Sequence, residues 1–359
     1  MEREKIFSKR VLEKPQTQRA SRVTEDDVDY DKLIRMGYNE NPYGAPDSVK
    51  KVIASSANMV HFYPDFQGSG IKKELAKLYG ISTSNIIMGE GSGALINIVG
   101  HAFLNPGEEV ILCPTFAAFN DMIEIERCKV VTVPLKEDKT YDLEGILNAV
   151  TDKTKMVVIT NPNNPTGTYV SYEAIHSFIE RLREDIVILI DEAYMELSTA
   201  EDCKTCIPFI EEFKERPIVI LRTFSKYYAL AGARIGYLIA NEEIVEGIRV
   251  VPGCCVSRAA QAAALQALKE KDYYLETKKK IVAGVNYLEE ELKKLGCEVY
   301  HTQTNFIFFE PHMDYLTVKS KLLEKGIHIS TPIMTRVSVS TKENNEYFIE
   351  CMKEILATN

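Results

Sequence analysis

"RPIVILRTFSKYYALAGARIGYLIA", residues 216–240, joins two apolar runs through a turn that carries Lys226, Gly232 and Arg234. Neither run alternates polar with apolar residues. A strand with one wet face must alternate, so an unbroken run suits a strand buried on both faces of a sheet that helices cover. The same kind of run recurs at "EEVILCP" (108–114), "KVVTVPL" (129–135), "KMVVIT" (155–160) and "DIVILID" (185–191). Stretches such as "SGALINIVGHAFL" (92–104) and "FAAFNDMIEIE" (116–126) read as helices between them. Strands joined by helical crossovers form a mainly parallel sheet, so this part of the chain is expected to be an α/β domain.

The pattern changes near residue 255. A long helical stretch runs from 257 to 296, followed by "CEVYHTQTNFIFFE", a helix near "YLTVKSKLLEKG", a short strand at "RVSVST" and a last helix at "ENNEYFIECMKEIL". This predicts a smaller α+β domain. The expected division is residues 1–45 as an amino-terminal arm and part of the small domain, 46–255 as the large domain and 256–359 as the small domain. The first 30 or so residues are polar, basic to about Arg22 and then acidic through "TEDDVDYD", which reads as a mobile arm or one ordered by a partner subunit.

Bulk composition removes several classes of function. With 45% hydrophobic residues, 26% charged residues and a net charge of −9, the chain lacks the basic excess of a nucleic-acid binder. No apolar run reaches the about 20 residues needed to span a bilayer, and the amino terminus has no apolar core of the secretory kind, so a cytoplasmic protein is expected. The eight cysteines are scattered, and only Cys203 and Cys206 have a CxxC spacing, without a second pair at zinc-ligand distance. No metal site is expected.

In an open parallel sheet, ligands sit beyond the carboxyl ends of the strands. Polar motifs gather at that edge. "MGEGSGALI" sets Gly91, Ser92 and Gly93 ahead of a helix, where backbone amides and the helix dipole can hold a phosphate. "VVITNPNNPTG" carries Asn164, and "VILIDEAYMEL" puts Asp191 and Glu192 straight after an apolar strand, where an unpaired buried charge would be costly. A phosphate loop, a strand-end carboxylate and Lys226 together call for a ligand with a phosphate, a protonatable ring nitrogen and a carbonyl that an amine can attack. Pyridoxal 5'-phosphate has all three.

The ordered set "NPNNPTG", "DEAY" and "TFSKYYALAGAR" resembles the fold-type I pyridoxal-phosphate aminotransferases of class I and II. "NENPYG" at 39–44 and "YPD" at 63–65 bring it nearest to the histidinol-phosphate aminotransferase branch, with the similarity running from about residue 36 to the carboxyl end. The resemblance implies a large domain with a seven-stranded, mainly parallel sheet. It makes Lys226 the Schiff-base lysine and proton carrier, Asp191 the partner of the ring nitrogen, and Asn164 and Tyr194 the partners of the ring hydroxyl. Phe116, in "CPTFAAF", would stack on the ring. Gly91, Ser92, Gly93, Thr223, Ser225 and Arg234 would surround the phosphate, and Tyr63 would reach it from a second subunit, which implies a homodimer with shared sites. Arg336 would bind the substrate's carboxylate or phosphate, with Asn41 and Tyr43 from "NENPYG" also on the substrate side.

Three features depart from that branch. Gly93 and Ala94 stand where it usually has two acidic residues, Ser330 stands near the place of a second arginine, and a Tyr-x-Pro-Gly element is absent from the arm. These leave the cofactor contacts intact while weakening the expectation of histidinol phosphate as substrate. The expected reaction is ping-pong transamination between an amino acid or amino-alcohol phosphate and a 2-oxo acid. An aromatic or specialised-pathway amino acid is an alternative substrate, and a decarboxylase of the threonine-phosphate type an alternative reaction. A non-catalytic regulator on the same fold ranks far third, because the residues ahead of the shared region are too few and too acidic for a DNA-binding domain.

Overall fold

The apolar runs become strands whose alternate residues enter two different cores. The computed structural model describes residues 29, 32–253, 255–329 and 335–357; Cys254, Ser330 and nearly all of the amino-terminal arm lie outside the described residues. Numbered along the chain, the strands begin with β1 (Ile34–Arg35), β2 (Ile86–Gly89), β3 (Glu109–Leu112), β4 (Lys129–Thr132), β5 (Thr154–Thr160) and β6 (Val187–Asp191). They continue with β7 (Ile218–Thr223), β8 (Gly236–Ala240), β9 (Glu298–Val299), β10 (Phe306–Glu310), β11 (Ile327–His328) and β12 (Arg336–Ser338).

Strands β2 to β8 form one seven-stranded sheet in the order β2-β8-β7-β6-β5-β3-β4. Only β8 runs against its neighbours β2 and β7; the pairs β3–β4, β3–β5, β5–β6 and β6–β7 are parallel. In β6, Ile188 and Ile190 join one core while Val187 and Leu189 join the other. In β7 the split is Ile218 and Ile220 against Val219 and Leu221. Burying each such side chain stabilises by about 1.5–3 kcal/mol, and doing so on both faces is why the sequence shows no period of two.

Helix Ser92–Phe103 covers one face through Leu95, Ile96 and Val99, packed with Phe119, Met122 and Ile123 of helix Ala118–Ile125. The opposite face is covered by Ile175, Phe178 and Ile179 of helix Tyr172–Arg181 and by Ile71 and Leu75 of helix Ser69–Tyr79. Strand β2 was hidden in the sequence because "IIMG" runs directly into the glycine-rich loop.

Packing moves the domain boundary past residue 255. Ala260, Ala263, Ala264 and Ala267 of helix Arg258–Ala267 belong to the large-sheet core, and that helix packs on helix Asp47–Ser56. The long helical stretch is also two helices, interrupted before Lys271–Lys294 at Glu270, whose carboxylate accepts from Ser48 Oγ at 2.5 Å and Gln266 Nε2 at 2.7 Å. Tyr274 at the start of helix Lys271–Lys294 is still in the large core, whereas Val285, Leu288 and Leu292 enter a third core with Ile307, Phe309, Val318 and Phe348. The change of domain therefore falls inside this helix. Strand β1 pairs in parallel with β11, so the segment at Ile34 is part of the small domain, beside the antiparallel set β12-β10-β9. No helix among the described residues is long and apolar enough to cross a membrane.

Candidate active site

Parallel strands that end in register bring their last residues to one edge. Thr160 ends β5 opposite Asp191 at the end of β6, and Thr223 ends β7 beside them. Beyond this edge lies a cavity of about 340 Å³ whose lining includes Asp191, Tyr194, Lys226, Asn164, Arg234 and Arg336.

Asp191 forms the floor and is 3% exposed. Its Oδ1 accepts the Ala193 amide at 3.0 Å, yet burial, with Glu192 alongside, pushes the carboxyl up to about 7. A carboxylate here is short of a cation. Lys226 sits in the turn after β7, and its Nζ donates to the Tyr38 carbonyl at 2.8 Å and lies 5.7 Å from the Tyr194 ring centroid. Burial first, then the Arg336 charge, lowers its amine to about 7. Near neutral pH this amine can both hold and release a proton.

Arg234 and Arg336 both line the cavity, with different partners. Helix Ser92–Phe103 starts at Gly91 without any side-chain cap, so its first amides are open to a ligand. Gly91 has φ +79°, and a Cβ on it would stand 2.5 Å from Arg234 Nη2. The guanidinium thus lies against the helix start. A Cβ on Gly236 would come within 2.8 Å of Ser92 N, which is why β8 can run so close beneath. Over Gly93 there is open space within 4 Å. Thr223 Oγ1 donates to Ser225 Oγ at 2.9 Å and accepts the Ser225 amide at 3.1 Å, keeping both hydroxyls at the same corner. Buried Arg336 donates from Nη2 to the Gly37 carbonyl at 2.7 Å and from Nη1 to Asn164 Oδ1. That contact turns the Asn164 amide nitrogen away from Arg336. Phe116 is 41% exposed at the cavity wall, edge-on to Phe119 at 6.4 Å.

Asn41 and Tyr43 lie outside the cavity lining, and Tyr63, expected to act on a second subunit's site, lies on the surface of its own chain. Tyr63 is 82% exposed and lines a different surface groove with Val60, Phe62 and Arg258. Asn41 does not line the cavity, because its side chain is used inside the chain: Nδ2 donates to the Tyr227 carbonyl at 3.1 Å and Oδ1 accepts the Tyr43 amide at 3.1 Å. Tyr43 packs behind the wall with Ala193, Tyr194 and Leu197. The cavity instead takes Tyr38, Asn39 and Glu40 from the same stretch of chain, together with Thr160 and Ala231. "NENPYG" was a usable signal for the stretch, though not for which of its side chains turn inward.

The donor set fits pyridoxal phosphate on the structure's own terms. A cradle of open amides, two hydroxyls and a guanidinium suits a phosphate, and a buried carboxyl short of a cation suits a ring N–H⁺. The family model described as aminotransferase class I and II matches residues 31–352. A histidinol-phosphate aminotransferase from Bacillus licheniformis is 34% identical over 334 residues, covering 91% of this chain and 92% of that protein. One from Halalkalibacterium halodurans is 34% identical over 90% of this chain and 89% of its own length. The crystal structure of histidinol-phosphate aminotransferase from Sinorhizobium meliloti in complex with pyridoxal-5'-phosphate superposes with a TM-score of 0.89 at 26% identity, covering 98% of both chains.

Proposed function

We propose the following division of labour from the premise that the chain belongs to the class I and II aminotransferase family and is a pyridoxal-phosphate-dependent aminotransferase. The single observation that carries the reading is that Lys226 lines one cavity with Arg234 and Arg336, an amine within reach of two guanidinium charges. When bound, the cofactor supplies an aldehyde for the amino group and a ring that takes up the electron pair left at the substrate's α-carbon. Lys226 Nζ would hold the cofactor's aldehyde and, as a free amine, would carry the substrate's α-proton, a role suited to an amine that burial lowers to about 7. Asp191 accepts the ring N–H⁺. Arg234 holds the phosphate with Ser92, Gly93, Thr223 and Ser225, while Gly91 lets the guanidinium approach. Tyr194 and Asn164 would hydrogen-bond the ring hydroxyl, and Phe116 would lie against the ring, since all three line the cavity.

Arg336 grips the substrate's anionic end through its forked donors. The relatives' names make L-histidinol phosphate the amino donor to assign first, with a 2-oxo acid as acceptor. The test is the visible spectrum of the purified protein with pyridoxal phosphate, before and after single amino donors are added. Loss of the lysine-bound band with L-histidinol phosphate supports the assignment; loss only with a carboxylate donor replaces that substrate while keeping the aminotransferase.

We further assign the chain to the cytosol as a homodimer. Val60 at 82%, Phe62 at 55%, Tyr63 at 82% and Phe66 at 65% exposure leave large apolar side chains in contact with water on one segment, the kind of surface a second copy covers. Tyr63 would then reach the other copy's phosphate cradle. A solution mass of one chain by light scattering at micromolar concentration would remove this assignment.

A further inference from the structure

We propose that Asn39 is a positioning residue, which orients the Tyr194 hydroxyl and ties it to the strand that carries Arg336. The inference rests on reading the cavity as the cofactor site. Asn39 is 1% exposed, and its Nδ2 donates to the Tyr194 hydroxyl oxygen at 2.8 Å. Its Oδ1 accepts from Ser338 Oγ at 2.9 Å, and its own amide donates to that same Oγ at 2.9 Å. Asn305 Nδ2 donates to the Asn39 carbonyl at 3.0 Å. Every polar group of Asn39 is therefore engaged, by β12 through Ser338, by the residue preceding β10 and by Tyr194.

Two facts point to an orienting role. Ser338 Oγ accepts the Asn39 amide and donates its single proton to Oδ1, and with the oxygen held there Nδ2 faces Tyr194. With its oxygen accepting from Nδ2, the Tyr194 hydroxyl is left with its proton to donate into the cavity. Asn39 also has φ +55°, a left-handed conformation in which glycine would sit without strain. What asparagine contributes at this position beyond glycine is its side-chain amide. Ser338 lies two residues after Arg336 on β12, so the anion-gripping strand and the ring-hydroxyl partner share one hydrogen-bonded connection.

A hydrogen bond donated by Tyr194 draws negative charge from the ring oxygen and weakens its hold on a proton shared with the adjoining lysine-linked nitrogen. Losing the orientation raises the pH at which that proton leaves. The experiment is an absorbance titration of the cofactor-loaded protein in four forms: wild type, Asn39→Gly, Tyr194→Phe and the double variant. Asn39→Gly is expected to raise the midpoint by about 0.4–1 pH unit, the size of one net hydrogen bond, and to add nothing in the Tyr194→Phe background. An unchanged midpoint, or an equal rise with Tyr194 absent, overturns the proposal, since a general loosening would not need the tyrosine. Asp191, Arg234, Arg336, Lys226 and Glu40 face the cavity and are kept in all four forms. Ser338→Ala, which removes the hydroxyl that fixes the amide, carries the same test with the same expected direction if Asn39→Gly does not fold. Failure of the cavity reading is separate, and shows as no Lys226-linked product after reduction of the loaded wild type.

Discussion

Replacing Asp191 by asparagine should make the cofactor-free protein more stable and the loaded protein weaker, and the first effect should grow with pH. The Asp191 carboxyl is pushed up from 3.8 to about 7, mainly by burial. Between those values the folded chain holds a proton that the unfolded chain has released, so stability falls as pH rises, by about 1.4 kcal/mol per pH unit, and levels off above pH 7. Asparagine has no such loss. From pH 5 to pH 8 the variant should therefore gain on the wild type by about 2.7 kcal/mol. For 359 residues, at about 2.1 cal/mol/K each, the unfolding entropy is about 0.75 kcal/mol/K, which converts the gain into roughly 4 °C of melting temperature. Lys226 contributes with the opposite slope between about 7 and 10.5 in both proteins, and Asp191 is the smallest of the causes acting on its amine, so the difference between the proteins is set mainly by the carboxyl. With pyridoxal phosphate present, the variant lacks the charge-assisted partner of the ring nitrogen and should bind it about tenfold to a hundredfold less tightly. The assay is thermal unfolding of both proteins at pH 5 and pH 8, with and without cofactor. If the cofactor-free variant melts below wild type at pH 8, or the gap is equal at both pH values, Asp191 is not the cation-starved carboxyl argued from its burial.

Lys226→Ala should lose covalent attachment of the cofactor on borohydride reduction and lower turnover by at least about 10²–10⁴-fold; mass spectrometry of the reduced protein and steady-state rates measure both. Gly236→Ala should weaken cofactor binding in fluorescence titrations, because its Cβ would meet Ser92 N at 2.8 Å, Arg222 O at 2.8 Å and Gly91 C at 2.9 Å, all backbone atoms that cannot rotate away. Arg222→Met should cost about 3–5 kcal/mol in thermal unfolding, since it leaves Glu192, paired with Arg222 at 2.6 Å and wholly buried, without its cation. A loss under about 1 kcal/mol would mean that the Thr205 hydroxyl and Cys206 amide already suffice for that carboxylate.

The sheet was legible because its evidence is local. Ile188, Leu189 and Ile190 are neighbours in sequence and are all buried, so the run itself reports the two covered faces. Strand ends were legible for the same reason, and the register that sets Thr160 beside Asp191 follows once the strands are parallel. The domain boundary was not, because nothing in "SRAAQAAALQALKEKDYYLE" states which core its alanines enter. Ala260 and Val285 lie on successive helices and pack into different domains.

The stretch that enters the cavity is Tyr38–Glu40, while Asn41 and Tyr43 stay outside its lining, and the reason is physical. In "NENPYG" every asparagine has the same inventory of donors and acceptors, so chemistry alone cannot rank them. What separates Asn39 from Asn41 is partners 155 and 299 residues distant for the first and 186 residues distant for the second. The left-handed turn at Asn39 aims its amide at Tyr194, while Asn41 spends its own on the Tyr227 carbonyl and so supports the segment just beyond Lys226. The two asparagines thus tie this stretch to different neighbours of the lysine, one through the Tyr194 hydroxyl and one through the turn at Tyr227. Exchanging either for aspartate should separate them: Asn41→Asp places a carboxylate where the Tyr227 carbonyl needs a donor and should lower the melting temperature. Asn39→Asp instead supplies an acceptor for the Tyr194 proton and should raise the absorbance midpoint beyond the Asn39→Gly value. An Asn39→Asp midpoint equal to wild type would show that the tyrosine proton is not directed by residue 39.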